Sequence, residues 1–138
     1  MEKEKYSISI DKLKHKKYQL LTEGSDAPFK TMKDLMLAAA AVGFVNNTSV
    51  PIRTGAALKI FEWGRFDPVD QKFVSSLTFL KSKDVNDVLD KEKLIETLQA
   101  YANGGFDEIY DEITKKGNRV LNLVSHVLSK YDGKEEEE

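Results

Sequence analysis

The run from Phe29 to Phe44, FKTMKDLMLAAAAVGF, constrains this chain more than any other stretch. Thr31 stands where a helix N-cap belongs, and Asp34 follows three residues on, a capping-box-like spacing whose carboxylate also suits the helix dipole. Met32, Leu35, Met36 and four alanines carry the helix forward. Gly43 is its expected stop, in a left-handed conformation with Phe44 or Val45 folding back on the last turn. The small residues Ala38, Ala39 and Ala41, with Val42, leave a face that another helix can approach closely. That partner is either internal, the reading we favour, or a second subunit.

Tyr101-Ala-Asn-Gly-Gly-Phe106 is the second landmark. Asn103, Gly104 and Gly105 have the composition of a helix end, closing a helix that starts near Asp84 or Asp90 and carries Val85, Val88, Leu89, Leu94, Ile95 and Leu98. A short amphipathic helix is expected from Asp107 to Lys115 through Ile109, Tyr110 and Ile113. Gly117 then breaks the chain before a last helix from Asn118 or Arg119, with Val120, Leu121, Val124, Val127 and Leu128 on one face. Upstream, Asp67-Pro-Val-Asp70 is a strong helix start, followed by a stripe of Val69, Phe73, Val74, Leu77 and Leu80.

The N-terminal part alternates at Tyr6-Ser-Ile-Ser-Ile10, so residues 1–10 read as an extended arm or short strand. Asp11 can cap a helix over Lys12–Leu21, with Leu13, Lys17, Leu20 and Leu21 at helical spacing. Residues 45–66 are the least legible. They hold a turn at Asn46-Asn-Thr-Ser49, an extended Val50-Pro-Ile52 and a break at Thr54-Gly55. Lys59–Phe66 reads as a short strand or a helical turn, and we incline to irregular structure. Trp63, with Phe61 and Phe66, reads as a core anchor rather than a base-stacking platform. The fold expected is mainly α: one compact helical domain over residues 1–131, with five to six helices, a short N-terminal strand and an irregular middle.

At 138 residues, 41% apolar and 32% charged, the chain can bury one core without metal or disulfide staples. It has no cysteine, which excludes disulfides, thiolate nucleophiles and cysteine-based metal sites and suits a reducing compartment. No apolar targeting segment opens the sequence, and no run nears the roughly 18 apolar residues needed to cross a bilayer. A cytoplasmic location without membrane contact is expected. The net charge of −2 is uneven: residues 1–33 carry +3, whereas residues 132–138 sum to −4. The acidic end reads as a solvated, disordered tail, with an electrostatic decoy for nucleic acid as the sharper alternative.

Little in the sequence resembles a catalytic constellation. His15 and His126 sit in different helices without a carboxylate at ligand spacing. No nucleophile elbow or phosphate loop is present. Asp107, Glu108, Asp111 and Glu112 have the spacing of a solvated helix face. No enzyme, cofactor or metal is expected. A strand, a lysine-rich helix and a second capped helix do follow the order of ribbon-helix-helix DNA-binding proteins. Lys12, Lys14, Lys16 and Lys17 then become candidate phosphate contacts, although the strand lacks groove-reading arginine or lysine. A solvated face is the plainer reading of those lysines.

Three segments, Pro28–Phe44, Val50-Pro-Ile52 and Tyr101-Ala-Asn-Gly-Gly105, resemble the accessory proteins encoded beside bacterial and archaeal DNA phosphorothioation (dnd) gene clusters, called dnd system-associated protein four. The phenylalanine-rich middle and the Lys83-Asp84…Val88-Leu89-Asp90 segment extend the resemblance over about residues 28–115; residues 1–27 and the acidic end lie outside it. The resemblance implies a part in phosphorothioate-linked modification or restriction of DNA, a defence against foreign DNA. It carries over no catalytic residue, and Asn103, Gly104 and Gly105 transfer only as a structural motif. The leading expectation is a non-catalytic adaptor that contacts other proteins of such a system. The alternative is a DNA-binding regulator using the lysine-rich N-terminal third. A second copy of the chain is a further candidate partner.

Overall fold

The computed structural model describes residues 6–115. Expectations that fall on residues 116–138, including the last helix, His126 and the acidic end, lie outside the described residues. The fold is mainly α. Strand β1 (Ser7–Asp11) leads into a single 3₁₀ turn and helix α1 (His15–Thr22). Then come α2 (Met32–Val45), β2 (Ala57–Glu62), a 3₁₀ turn at Trp63–Arg65, α3 (Pro68–Ser82), the one-turn α4 (Val85–Val88) and α5 (Lys91–Thr114).

Capping residues set most helix starts. The Thr31 hydroxyl accepts from Asp34 N at 3.1 Å. Asp67 and Asp70 exchange side-chain and backbone hydrogen bonds in a full capping box, with Pro68 at the first helical position, where its missing N–H costs nothing. Asp90 accepts from Glu92 N and Lys93 N to begin α5. Asp11 caps the turn before α1 through Leu13 N.

Two expected helix stops are corrected. Gly43 lies inside α2, which runs on to Val45; the left-handed residue is Asn47, at φ 56°. Thr48 N bonds Gly43 O and Asn47 N bonds Phe44 O, the paired reverse bonds of a Schellman end. Likewise Asn103, Gly104 and Gly105 do not close a helix. α5 continues through them, 24 residues in all, so the separate helix expected from Asp107 is its C-terminal third. Each glycine costs about 1 kcal/mol in a helix interior. Here that cost is offset by backbone packing that no larger residue permits. A Cβ added at Gly105 would stand 2.1 Å from Ala39 O, one at Gly43 2.1 Å from Tyr101 O, and one at Gly104 2.2 Å from Thr48 O. α2 and the loop after it lie directly on the backbone of α5.

The irregular structure expected within 45–66 is corrected as well. Residues 57–62 form β2, which pairs antiparallel with β1, from Ser7 opposite Glu62 to Asp11 opposite Ala57. The register shifts between Ile8 and Ser9, leaving Ile60 as an extra residue in β2, a bulge that breaks the simple alternation. Ile8 and Ile10 face the core, and Ser9 N donates to Gln99 Oε1 on α5 at 2.7 Å. The expected spacing of α1 needs one change: Tyr18 and Leu21 are buried, while Leu13 and Leu20 are exposed. Trp63 and Phe61 both pack edge-on to Phe66 within the core.

Replacing Gly105 by Ala should lower the unfolding free energy by about 3 kcal/mol or more, because the new methyl meets backbone rather than a movable side chain. Gly64, with nothing within 4 Å of an added Cβ, is the control; Gly64→Ala should shift stability by less than about 0.5 kcal/mol. Urea unfolding followed by circular dichroism measures both.

Candidate functional site

The three segments singled out in the sequence meet at one place. α2 crosses α5 where Ala39 faces Gly105 and Gly43 faces Tyr101. The loop leaving α2 then runs over the same helix: Val50 N bonds Ala100 O at 3.0 Å, and the Asn103 amide donates to Val50 O at 3.0 Å. Asn103 is buried, and its side chain fastens the Val50-Pro51 backbone. Gly104 leaves room for Thr48. Phe106, next in line, stacks on Tyr18 of α1 with ring centroids 4.2 Å apart. Burial raises the pKa of the Tyr18 phenol, helped by the nearby charge of Asp107, so this ring pair stays neutral through the physiological range.

Among the candidate packing residues, Ala39 is buried against α5; Ala38 and Val42 are partly buried against the core, and Ala41 is half-buried. Of these four, Ala39 is the one placed against α5, at Gly105.

The four candidate lysines do not form one free cluster. Lys14 Nζ donates to Asn103 O at 3.0 Å and pairs with Asp107 at 3.4 Å. Lys17 Nζ lies 4.8 Å above the Tyr110 ring. Lys12 and Lys16 are exposed. The strand that would serve as a DNA-reading ribbon pairs with β2 of its own chain, and its isoleucines are in the core.

Two ion pairs tie the outer elements. The buried Asp11 carboxylate pairs with Arg53 at 3.2 Å, and that bond holds its pKa below the usual value of 3.8 despite burial. Lys33 on α2 pairs with Asp70 of the α3 capping box at 2.8 Å. Burial raises the Asp70 pKa, but hydrogen bonds from Lys33 and Asp67 N outweigh it, so the net shift is downward.

Concavities also lie on the surface of the described residues. An open cleft of about 670 Å³ between the 49–57 loop and α5 is edged by Arg53, Lys81 and Lys93 together with Asp87 and Glu96, so its charges are mixed in sign. A shallow groove of about 400 Å³ runs between α3 and α4, lined by Phe79, Leu80, Val85 and Val88 with Ser75 and Ser76. Around it Phe79 and Leu80 are more than two-fifths exposed, Val85 is 60% exposed and Leu89 79%. Sequence reasoning placed Leu80 in the apolar stripe of one helix and Val85 and Leu89 among the apolar positions of the next. The available signal was that α3 has apolar residues beyond one stripe, with Phe79 and Leu80 adjacent. Among the described residues no group of three or more His, Asp or Glu is placed to hold a metal ion, and no helix is long and apolar enough to cross a membrane.

These features define a small helical protein built on a glycine-lined helix crossing, with an apolar groove left open to solvent. The chain belongs to the family described as DNA sulphur modification system-associated protein 4, whose model matches residues 7–138. That match takes in residues 7–27 and the acidic end, both outside the earlier resemblance. No curated protein and no solved structure matches the chain.

The Lys14 contacts separate a structural lysine from solvated ones. Lys14→Gln should cost about 1–2 kcal/mol, since it removes a charged donor from a partly buried carbonyl. Lys12→Gln and Lys16→Gln should change stability by less than about 0.5 kcal/mol; thermal unfolding of the three variants measures the difference. Asp11 and Asp70 both have lowered native pKa values. Their contribution is present above pH 3.8 and lost as pH falls through the lower native values. Asp11→Asn should flatten the acid limb of an unfolding titration and lower stability at neutral pH.

Proposed function

We propose that this protein is a non-catalytic accessory subunit of a DNA sulphur modification system, acting by protein–protein contact in the cytoplasm. The process served would be modification or restriction of DNA directed against foreign DNA. The observation that carries the reading is the apolar face of Phe79, Leu80, Val85 and Leu89 around the α3–α4 groove. An exposed apolar group beside a groove is the usual mark of a protein interaction site. Family membership supplies the kind of partner, another protein of the sulphur modification system. Ala39 packs against α5, which favours α3 and α4 over the Ala38, Ala39, Ala41 and Val42 face for that role.

A second reading, contact with DNA, draws support from the exposed Lys12 and Lys16 and from Lys17 on the same short helix. Such contacts would give binding without sequence choice and a steep fall with salt.

The test is a tagged pull-down from the native host, with and without nuclease, comparing wild type with Val85→Lys/Leu89→Lys. Both side chains are largely exposed, so the fold should be unaffected. Capture of proteins of the sulphur modification system should survive nuclease and fall about tenfold or more in the variant, the effect of losing about 1.4 kcal/mol. Capture that vanishes with nuclease and is indifferent to the variant would favour DNA as the bridge. Unchanged capture with nuclease would move the interface away from α3 and α4.

A further inference from the structure

We infer that the cleft between the 49–57 loop and α5 is a binding site for a small zwitterion, a molecule carrying both a carboxylate and an ammonium group, as an amino acid or a short peptide does. Thr97 is the residue that points to a ligand: it lines the cleft and is only 8% exposed. Thr22, Thr78 and Thr114, also on helices, each donate the side-chain hydroxyl to the carbonyl four residues back, at 2.7–2.9 Å. The Thr97 hydroxyl makes no such bond and has no other hydrogen-bond partner among the described residues. A buried polar group left unmatched destabilises a fold, and its presence calls for a reason. A ligand seated in the cleft supplies one.

The neighbouring groups say what kind of ligand fits. Gln99 lines the same cleft, and its Oε1 accepts from Ser9 N at 2.7 Å, so the end left to donate is Nε2. Two of the charges at the cleft edge are already answered: Arg53 pairs with Asp11, and Lys93 lies 4.0 Å from Glu96. Lys81 and Asp87 have no ion-pair partner among the described residues; the Lys81 ammonium stands 5.5 Å from the centre of the Tyr101 ring. One cation, one anion, an amide donor and a hydroxyl are therefore unspent. A carboxylate satisfies Lys81 and Gln99, an ammonium satisfies Asp87, and the hydroxyl can serve either. A phosphate alone would leave Asp87 beside a like charge, and a simple amine would do the same to Lys81. The cleft volume of about 670 Å³ falls in the range of roughly 300–1,000 Å³ usual for small-molecule sites. Phe79, Leu80 and Val85 of the apolar groove do not line this cleft, so the inference stands or falls separately from the proposed function.

Amide NMR of the isotope-labelled full chain, titrated with the free amino acids and with glycylglycine at millimolar concentration, tests it. At least one probe should give saturable shifts centred on Thr97, Gln99 and the 49–57 loop, and its N-acetylated and C-amidated forms should not. Thr97→Val should weaken that binding about tenfold, the effect of losing one hydrogen bond in a desolvated site, while leaving the urea midpoint unchanged or raised. Asp87→Asn should weaken the free probe in the same way. The proposal is overturned if no probe shifts these amides, or if the blocked forms bind as well as the free ones. It is equally overturned if Thr97→Val lowers the urea midpoint, because the hydroxyl would then be satisfied within the fold.

Discussion

Backbone-to-backbone approach of α2 and α5 is the constraint on which the other contacts depend. At Gly43 and Gly105 there is no side chain between the helices, so the main chains set the spacing themselves. Dispersion forces rise steeply as atoms approach optimal distance, and a crossing this close brings many backbone atoms into contact at once. The remaining elements attach to what the crossing fixes. The loop after α2 is held by Asn103, α1 by Phe106 and Lys14, and β1 by Gln99, all but α1's own lysine being residues of α5. α5 is thus the shared support of these elements, its residues 99–106 reaching β1, α1, α2 and the loop after α2.

Much of this was legible in the sequence, and the failures have a common cause. Thr31, Asp67 and Asp90 mark helix starts because capping is local: the side chain satisfies a backbone N–H two or three residues away. Gly43 and Gly104-Gly105 were read as stops because locally a glycine does favour a stop. What overrides that preference is a partner some 60 residues away in sequence. β2 was hidden for a related reason. The bulge at Ile60 disturbs the period of two, so Leu58, Ile60 and Phe61 do not alternate as a strand pattern should. The role of Tyr-Ala-Asn-Gly-Gly as a seat for α2 and a loop could be seen only once those elements were placed.

The site followed the same division. Lys14 belonged by composition to a basic run of four, and only the fold shows it spent on Asn103 and Asp107. Of the alanine face, Ala39 packs against Gly105 of α5. Leu80 was read as part of an apolar stripe and Val85 and Leu89 as apolar helix positions, and periodicity identifies such positions without saying whether anything covers them. Exposure is a property of the assembled molecule, and it moved the candidate interaction surface from α2 to α3 and α4.

The pairing of β1 with β2 has a consequence for how the chain comes into being. β1 leaves the ribosome before its hydrogen-bonding partner, which ends at Glu62, and before its anchor Gln99. At about 5–20 residues per second, Ile8 and Ile10 spend several seconds as an unpaired apolar strand. The lysines that follow them keep that stretch charged through the delay, which discourages edge-to-edge association between nascent chains. Contacts so distant in sequence also slow the final closure, so a strand made before its partners is among the last to be secured.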